Sequence, residues 1–180
     1  PETFVRIDRI VVHNYRNIKD LTVDANPRFN VIHGQNAQGK TNFLEAVYLV
    51  GTLKSFRSAK NAELIHWDEE AGAVRAIVQR RESERDIVVK IGKSGKRVSV
   101  DGKHVRKFQD TFGHLHVVVF SPEDLIISKG SASNRRTFMD RAVFQYVPGH
   151  ASTTKSYENA LKSRNALLKE MRASGRGDEM

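Results

Sequence analysis

The chain contains no cysteine, so disulfides, thiolate metal sites and cysteine nucleophiles are all excluded, as suits a reducing cytosol. No apolar run approaches the ~18 residues needed to cross a bilayer. The first residues, Pro1-Glu2-Thr3-Phe4, show no basic segment leading into an apolar core. The expectation is a cytoplasmic protein with neither a secretory signal nor a membrane partner. Acidic residues are in deficit, 21 Asp+Glu against 30 Lys+Arg in 180 residues, for a formal charge of +9. A polyanion is therefore the first partner to consider, although charge says nothing about fold. The seven histidines lack the spacing and acidic support of a metal site; His114 and His116 are close, but two are too few for zinc. What remains suits one hydrophobic core.

The pattern reads as α/β. Phe4 to Val12 and Leu21 to Val23 alternate as strands, and Asn26-Pro27 turn the chain into a short apolar strand, Phe29 to His33, stopped by Gly34. From Lys40 the period becomes helical, with Phe43, Leu44, Ala46, Val47 and Val50 on one flank and Gly51 as the stop. Ala73–Val78 and Asp86–Ile91 read as strands flanking a charged turn from Arg80 to Arg85. Val98–Val100 and Lys103–Val105 surround Asp101-Gly102, a dipeptide suited to a two-residue hairpin. His116–Phe120 is a buried-strand candidate. Two helices, Ser131–Val147 and Ser152–Arg172, follow, separated by Pro148-Gly149, and the tail from Ser174 looks flexible.

Gly34-Gln35-Asn36-Ala37-Gln38-Gly39-Lys40-Thr41 matches G-x-x-x-x-G-K-[ST]. The glycines let backbone approach phosphate oxygens without an intervening Cβ. Successive N–H groups and the positive end of the following helix make an anion cradle. Lys40 can reach the β- and γ-phosphates, and the Thr41 hydroxyl suits Mg²⁺. The pattern turns up by chance, but here it follows an apolar segment and opens a helix, as its mechanism requires.

Asn36 and Asn42 around Lys40-Thr41 resemble the phosphate loop of SMC-like, ABC-type ATPases. The wider set resembles one branch, the RecF family of bacterial recombination mediators. Asn14-Tyr15-Arg16-Asn17, Asn36 to Asn42 leading into Leu44-Glu45-Ala46, and Ser55-Phe56-Arg57 with Glu63-Leu64-Ile65 all resemble its blocks. So do Phe120-Ser121-Pro122-Glu123-Asp124-Leu125 and Lys129-Gly130 with Arg135-Arg136 and Phe138-Met139-Asp140. Ala132, Asn134 and Thr137 depart from the last block, where the family usually has Pro, Glu and Arg.

The resemblance implies an ABC-type P-loop ATPase N-terminal lobe with mixed β-sheet over 1–121, followed by a helical segment of the second lobe over 122–180. It implies ATP and Mg²⁺ as cofactors, held by Gly34, Gln35, Asn36, Ala37, Gln38, Gly39, Lys40, Thr41 and Asn42, with Arg16 near the phosphates. It implies an ATP-dependent homodimer that clamps double-stranded or gapped DNA, with other mediator proteins and recombinase as partners, in repair, replication and the SOS response. The signature Ser-x-Gly-Gln and an apolar run ending Asp-Glu are absent from the sequence; Val117 to Phe120 ends in Ser121-Pro122. Family members carry both motifs further along a longer chain. The expectation is thus an N-terminal piece that hydrolyses nucleotide hardly at all, and a weak DNA-stimulated ATPase for the whole.

Arg57 lies where related heads contact DNA. Between Arg75 and Asp110 stand eleven Lys/Arg and five Asp/Glu, a local +6. Lys93, Lys96, Arg97, Lys103 and Arg106, with Lys90 and Lys107, are therefore DNA candidates, against the alternative of a lysine-protected strand edge. Glu123 and Asp124 suit either metal positioning or a helix start. Arg135-Arg136 suit phosphates, second-lobe acids or plain solvation, and Trp67 reads as a core or lobe-interface anchor. A small-molecule P-loop kinase and a non-hydrolysing interaction module are the alternatives. The strand-rich stretch from Thr52 to His116 argues against the kinase, which keeps alternating βα units.

Overall fold

The computed structural model describes residues 5–57, 60–80, 83–106, 114–121, 124, 126–147 and 149–174. Phe4, Lys107, Glu123, Leu125, Pro148 and the tail from Gly175 therefore lie outside the described residues. One six-stranded sheet dominates, in the order β2-β1-β3-β4-β5-β6. Its strands are β1 (Val5–Tyr15), β2 (Ile18–Asp24), β3 (Ala71–Arg80), β4 (Ser83–Gly92), β5 (Gly95–Val100) and β6 (Lys103–His104). All pairings among the described residues are antiparallel.

Period-2 alternation explains which face is buried. Ile10 and Val12 of β1 lie opposite Ala76 and Val74 of β3. Val74 and Ala76 in turn face Val89 and Ile87 of β4, and Val89 faces Val98 of β5. All seven are buried. Each fully buried Val or Ile contributes roughly 1.5–3 kcal/mol. Helix α1 (Lys40–Thr52) covers this face with Ala46, Leu49 and Val50. The opposite face is charged, and much of it is neutralised internally. On it Arg9 pairs with Asp24 and Arg75 with Asp86; Arg85, whose register partner is the buried Val78, pairs with Asp101 near the start of β4.

The Asp101-Gly102 hairpin forms as the dipeptide predicts, with φ of 51° and 75°. A second two-residue turn, Arg16-Asn17, joins β1 to β2, since Tyr15 pairs with Ile18. Arg16 sits at φ 55°. The short helix α2 (Asn61–Leu64) leads into a segment pinned to the end of β1: the Arg16 N–H donates to the Leu64 carbonyl, and the His66 N–H to that of Asn14, both at 2.9 Å.

Three expectations need correction. Phe29–His33 and His116–Phe120 are not strands in the structure; neither has a hydrogen-bonded neighbour strand among the described residues. Phe29, Val31, Val118 and Phe120 stand in solvent, Phe29 83% and Phe120 93% exposed, while Val117 packs partly against the core. An apolar run becomes a strand only where another strand completes its hydrogen bonds. Gly51 does not stop α1, which runs on to Thr52 and ends on Leu53 in the left-handed region. Gly51 instead admits the 114–121 segment: a Cβ there would lie 2.5 Å from a Val117 methyl and 3.0 Å from the Leu115 carbonyl.

From Ile126 onward the described residues are mainly helical. α3 (Ile126–Lys129) precedes α4 (Ala132–Tyr146), which Ser131 caps through the Asn134 N–H. α5 (His150–Ala173) begins two residues before the expected Ser152 and leaves Leu161, Leu167, Leu168 and Met171 partly or well exposed.

Candidate phosphate-binding site

The sharp bend before α1 is built from unusual backbone. Gly34, Ala37 and Gly39 have φ of 144°, 65° and 95°. Left-handed backbone costs a residue with a Cβ on the order of 1–2 kcal/mol, so Ala37 needs an external hold. It has one: Asn17 Nδ2 donates to the Ala37 carbonyl at 3.1 Å. Gly39 caps α1, receiving the Phe43 N–H at 2.8 Å. Its glycine identity is enforced twice, by φ and by Asn17, whose Oδ1 would lie 2.8 Å from a Cβ.

Lys40 folds back over the bend, its ammonium donating to the carbonyls of Gly34 and Gln35 at 2.7 and 2.5 Å. The side chain thus stands at the mouth of the loop, where a phosphate oxygen could replace either carbonyl as acceptor. Thr41 is exposed in the first turn of α1. These residues line a cleft of about 1080 Å³ whose other walls include Arg16, Arg57, Trp67 and Val117–Ser121.

Beneath the loop lies a charge pair that sequence reasoning passed over. Glu45, wholly buried on α1, accepts two hydrogen bonds from Arg16, at 2.9 Å from Nε and 2.8 Å from Nη2, and a third from the Ser55 hydroxyl. Burial alone would push the Glu45 carboxyl up, but the hydrogen bonds from Arg16 and Ser55 more than offset it and hold it below its ordinary value. Arg16 also donates from Nη1 to the Glu63 carbonyl at 2.9 Å. Three of its five N–H donors are thereby used, and two remain on the cleft wall. Tyr15 is buried alongside; its hydroxyl has no partner among the described residues, and burial pushes its pKa far up. A glutamate between Leu44 and Ala46 on an apolar flank was the available signal for this pair.

The remaining candidates fall in different places. Arg57 reaches the loop's surroundings, donating to Asn42 Oδ1 at 2.8 Å. Lys96 turns inward and donates to the Leu53 carbonyl at 3.1 Å, complementing the negative end of α1; burial lowers its pKa. It therefore leaves the solvent-facing basic set. Lys93, Arg97, Lys103 and Arg106 are exposed and without ion pairs among the described residues, as is Lys90 directly across from Arg97. Asp124 accepts from the Ser121 N–H at 2.7 Å and from its hydroxyl, closing a local turn. Arg135 and Arg136 line a separate cavity between α4 and α5. Trp67 is not in the core; it is 76% exposed on the cleft. No group of three or more His, Asp or Glu converges among the described residues.

An antiparallel sheet backed by one helix, with a glycine-bounded bend at that helix's start, is the arrangement of a P-loop fold. The family model described as RecF/RecN/SMC N terminal domain matches residues 6–133, and the chain belongs to that family. Among curated relatives, it is 40% identical over 171 residues to the DNA replication and repair protein RecF of Geobacter sp. (strain M21), covering 95% of this chain and 47% of that protein. The corresponding protein of Bacillus mycoides (strain KBAB4) is 38% identical over 173 residues, covering 96% and 46%. The chain thus spans about half the length of the curated relatives it matches. A solved structure of the recombination mediator protein RecF with ATPrS superposes with a TM-score of 0.89 at 34% identity, over 98% of this chain and 48% of that one. An SMC ATPase structure matches at a TM-score of 0.55 and 16% identity over 76% of this chain and 99% of that one, a likeness of fold alone. The fold is that of an ABC-type P-loop ATPase.

Proposed function

We propose that this chain is the nucleotide-binding lobe of an ATP-dependent DNA-binding protein of recombinational repair and replication. The observation that carries the reading is the Gly34–Thr41 bend, with its left-handed Gly34, Ala37 and Gly39, opening directly into α1 beneath the Lys40 ammonium. Main-chain N–H groups and the positive helix end would hold the triphosphate, and Lys40 would stabilise charge on its outer phosphates. Relatives solved with ATP and ATPrS support the choice of ligand.

Mg²⁺ fits the donor set: Thr41 supplies one exposed hydroxyl oxygen at the first turn, and this ion commonly completes its shell with phosphate oxygens and water. Bound there, it would neutralise phosphate charge. In this reading the whole protein dimerises on ATP, clamps duplex or gapped DNA, and assists recombinase loading with other mediators. Residues 1–121 form the ATPase lobe and 122–180 begin the second lobe. The water-orienting acid and the signature motif would come from beyond these residues, so this chain alone would turn over poorly. Lys90, Lys93, Arg97, Lys103 and Arg106 are the DNA-contact candidates, with Arg57 at the cleft. The kinase alternative loses its footing, because residues 71–104 build one antiparallel sheet instead of βα units.

The test is calorimetry on the full-length protein. Lys40→Ala should abolish ATP binding, and unchanged affinity would remove the loop from the mechanism.

A further inference from the structure

Four side-chain and main-chain groups connect the phosphate loop to Arg57 in one unbroken series. Asn17 Nδ2 donates to the Ala37 carbonyl at 3.1 Å; Asn42 Nδ2 donates to Asn17 Oδ1 at 2.7 Å; Arg57 Nη1 donates to Asn42 Oδ1 at 2.8 Å. Each amide thus donates with its nitrogen toward the loop and accepts with its oxygen from the side of Arg57. The far end is anchored as well, since the Arg57 N–H donates to Ser55 Oγ at 2.9 Å and Ser55 in turn donates to buried Glu45.

The loop end of the series has a direct geometric effect. In a planar trans peptide the carbonyl and the next N–H point in opposite directions. Turning the Ala37 carbonyl onto Asn17 therefore turns the Gln38 N–H away from it, and that N–H has no protein acceptor among the described residues. Asn17 Oδ1 also lies 2.8 Å from where a Cβ on Gly39 would stand, so the loop keeps its place beside Asn17 only with glycine at that position.

We infer that Asn17 is a positioning residue for the phosphate loop, and that Asn17 and Asn42 together couple triphosphate binding to the placement of Arg57. This rests on the reading of Gly34–Thr41 as the triphosphate site. Binding an anion at the Gln38 N–H stabilises the peptide orientation that Asn17 holds, which favours the intact series and so favours Arg57 in its place against Asn42. By reciprocity, displacing Arg57 weakens the triphosphate.

Calorimetry on the full-length protein with ATP and with inorganic tripolyphosphate tests this, with thermal midpoints measured alongside. Asn17→Ala should weaken both ligands by about tenfold, because the effect acts on phosphate alone, and should leave the midpoint nearly unmoved, since Asn17 is exposed. Asn42→Leu, uncharged and of similar shape, removes both the donor to Asn17 and the acceptor for Arg57; affinity for both ligands should fall by several-fold while stability holds, a split that a purely structural role does not produce. Asn17→Ala combined with Arg57→Ala should weaken binding by clearly less than the product of the two single effects. Tripolyphosphate affinity within twofold of wild type in Asn17→Ala, or fully multiplicative effects in the double variant, overturns the coupling. Lys40→Ala distinguishes the two levels. If it abolishes binding while Asn17→Ala does nothing, the series alone is wrong; if it too changes nothing, the site and the series fall together.

Discussion

Glu45 is the residue on which the site's underside depends. Removing one partner of a buried ion pair leaves the other charge uncompensated, at a cost of about 3–5 kcal/mol. Glu45→Ala is therefore expected to lower stability by an amount in that range, read from denaturant unfolding. The pH dependence follows from the direction of the shift. Because the folded-state carboxyl lies below its ordinary value of 4.5, the pair's stabilisation is fully present above that pH and is lost as pH falls through the lower folded value. Glu45→Gln should show a flatter acid limb below about pH 4.5 in thermal-midpoint measurements; an unchanged limb would mean the carboxylate is not the titrating group. At this scale the bend was legible because its glycines mark positions that need positive φ, which Gly34 and Gly39 adopt. Glu45 was quoted only within a motif, since a sequence does not say which flank of a helix meets an arginine from a turn 29 positions away.

At the level of elements, α1 joins the loop to the core, carrying the one at its start and packing on the other along its length. Gly51 within it sets two effects against each other. Ala in place of Gly in a helix interior gains roughly 1 kcal/mol, yet the new methyl would meet Val117 at 2.5 Å and the Leu115 carbonyl at 3.0 Å. Overpacking of that kind costs about 1–3 kcal/mol. A branched valine and a main-chain oxygen have little room to yield, so the clash wins. Gly51→Ala should destabilise by about 1 kcal/mol, seen as a lowered thermal midpoint, and a rise would show that the 114–121 segment moves freely. The alternating strands were legible, down to the Asp101-Gly102 hairpin, because one buried face imposes period 2. Phe29–His33 and His116–Phe120 misled because a short apolar run does not reveal whether a neighbour strand exists to receive it.

For the whole molecule, net charge proved a poor guide to local potential. Arg75 and Arg85 are matched by Asp86 and Asp101, acids already counted in the local +6, and Arg9 by Asp24 outside that stretch, so the excess positive charge lies on other residues. What remains unpaired among the described residues gathers at Lys90, Lys93 and Arg97, with Lys103 and Arg106 near the β6 edge. Like charges facing across a strand pair are unfavourable by themselves, which makes a phosphate backbone a natural neutraliser for Lys90 and Arg97. Reversing Lys93 and Arg97 together should weaken duplex binding by the full-length protein. It should also flatten the plot of log affinity against log salt by about two. A slope identical to wild type would return this surface to ordinary solvation.

The residue order alone determined the bend before α1, the Asp101-Gly102 hairpin and the alternation of the sheet, because these are local: a turn needs its own φ values, and a strand needs its own period. Tertiary structure alone decided that Glu45 faces Arg16, that Lys96 turns inward to the end of α1, and that two asparagines bridge Ala37 and Arg57. Those contacts join elements far apart in the chain, and the distance and direction between such elements are set by packing, which no local pattern encodes.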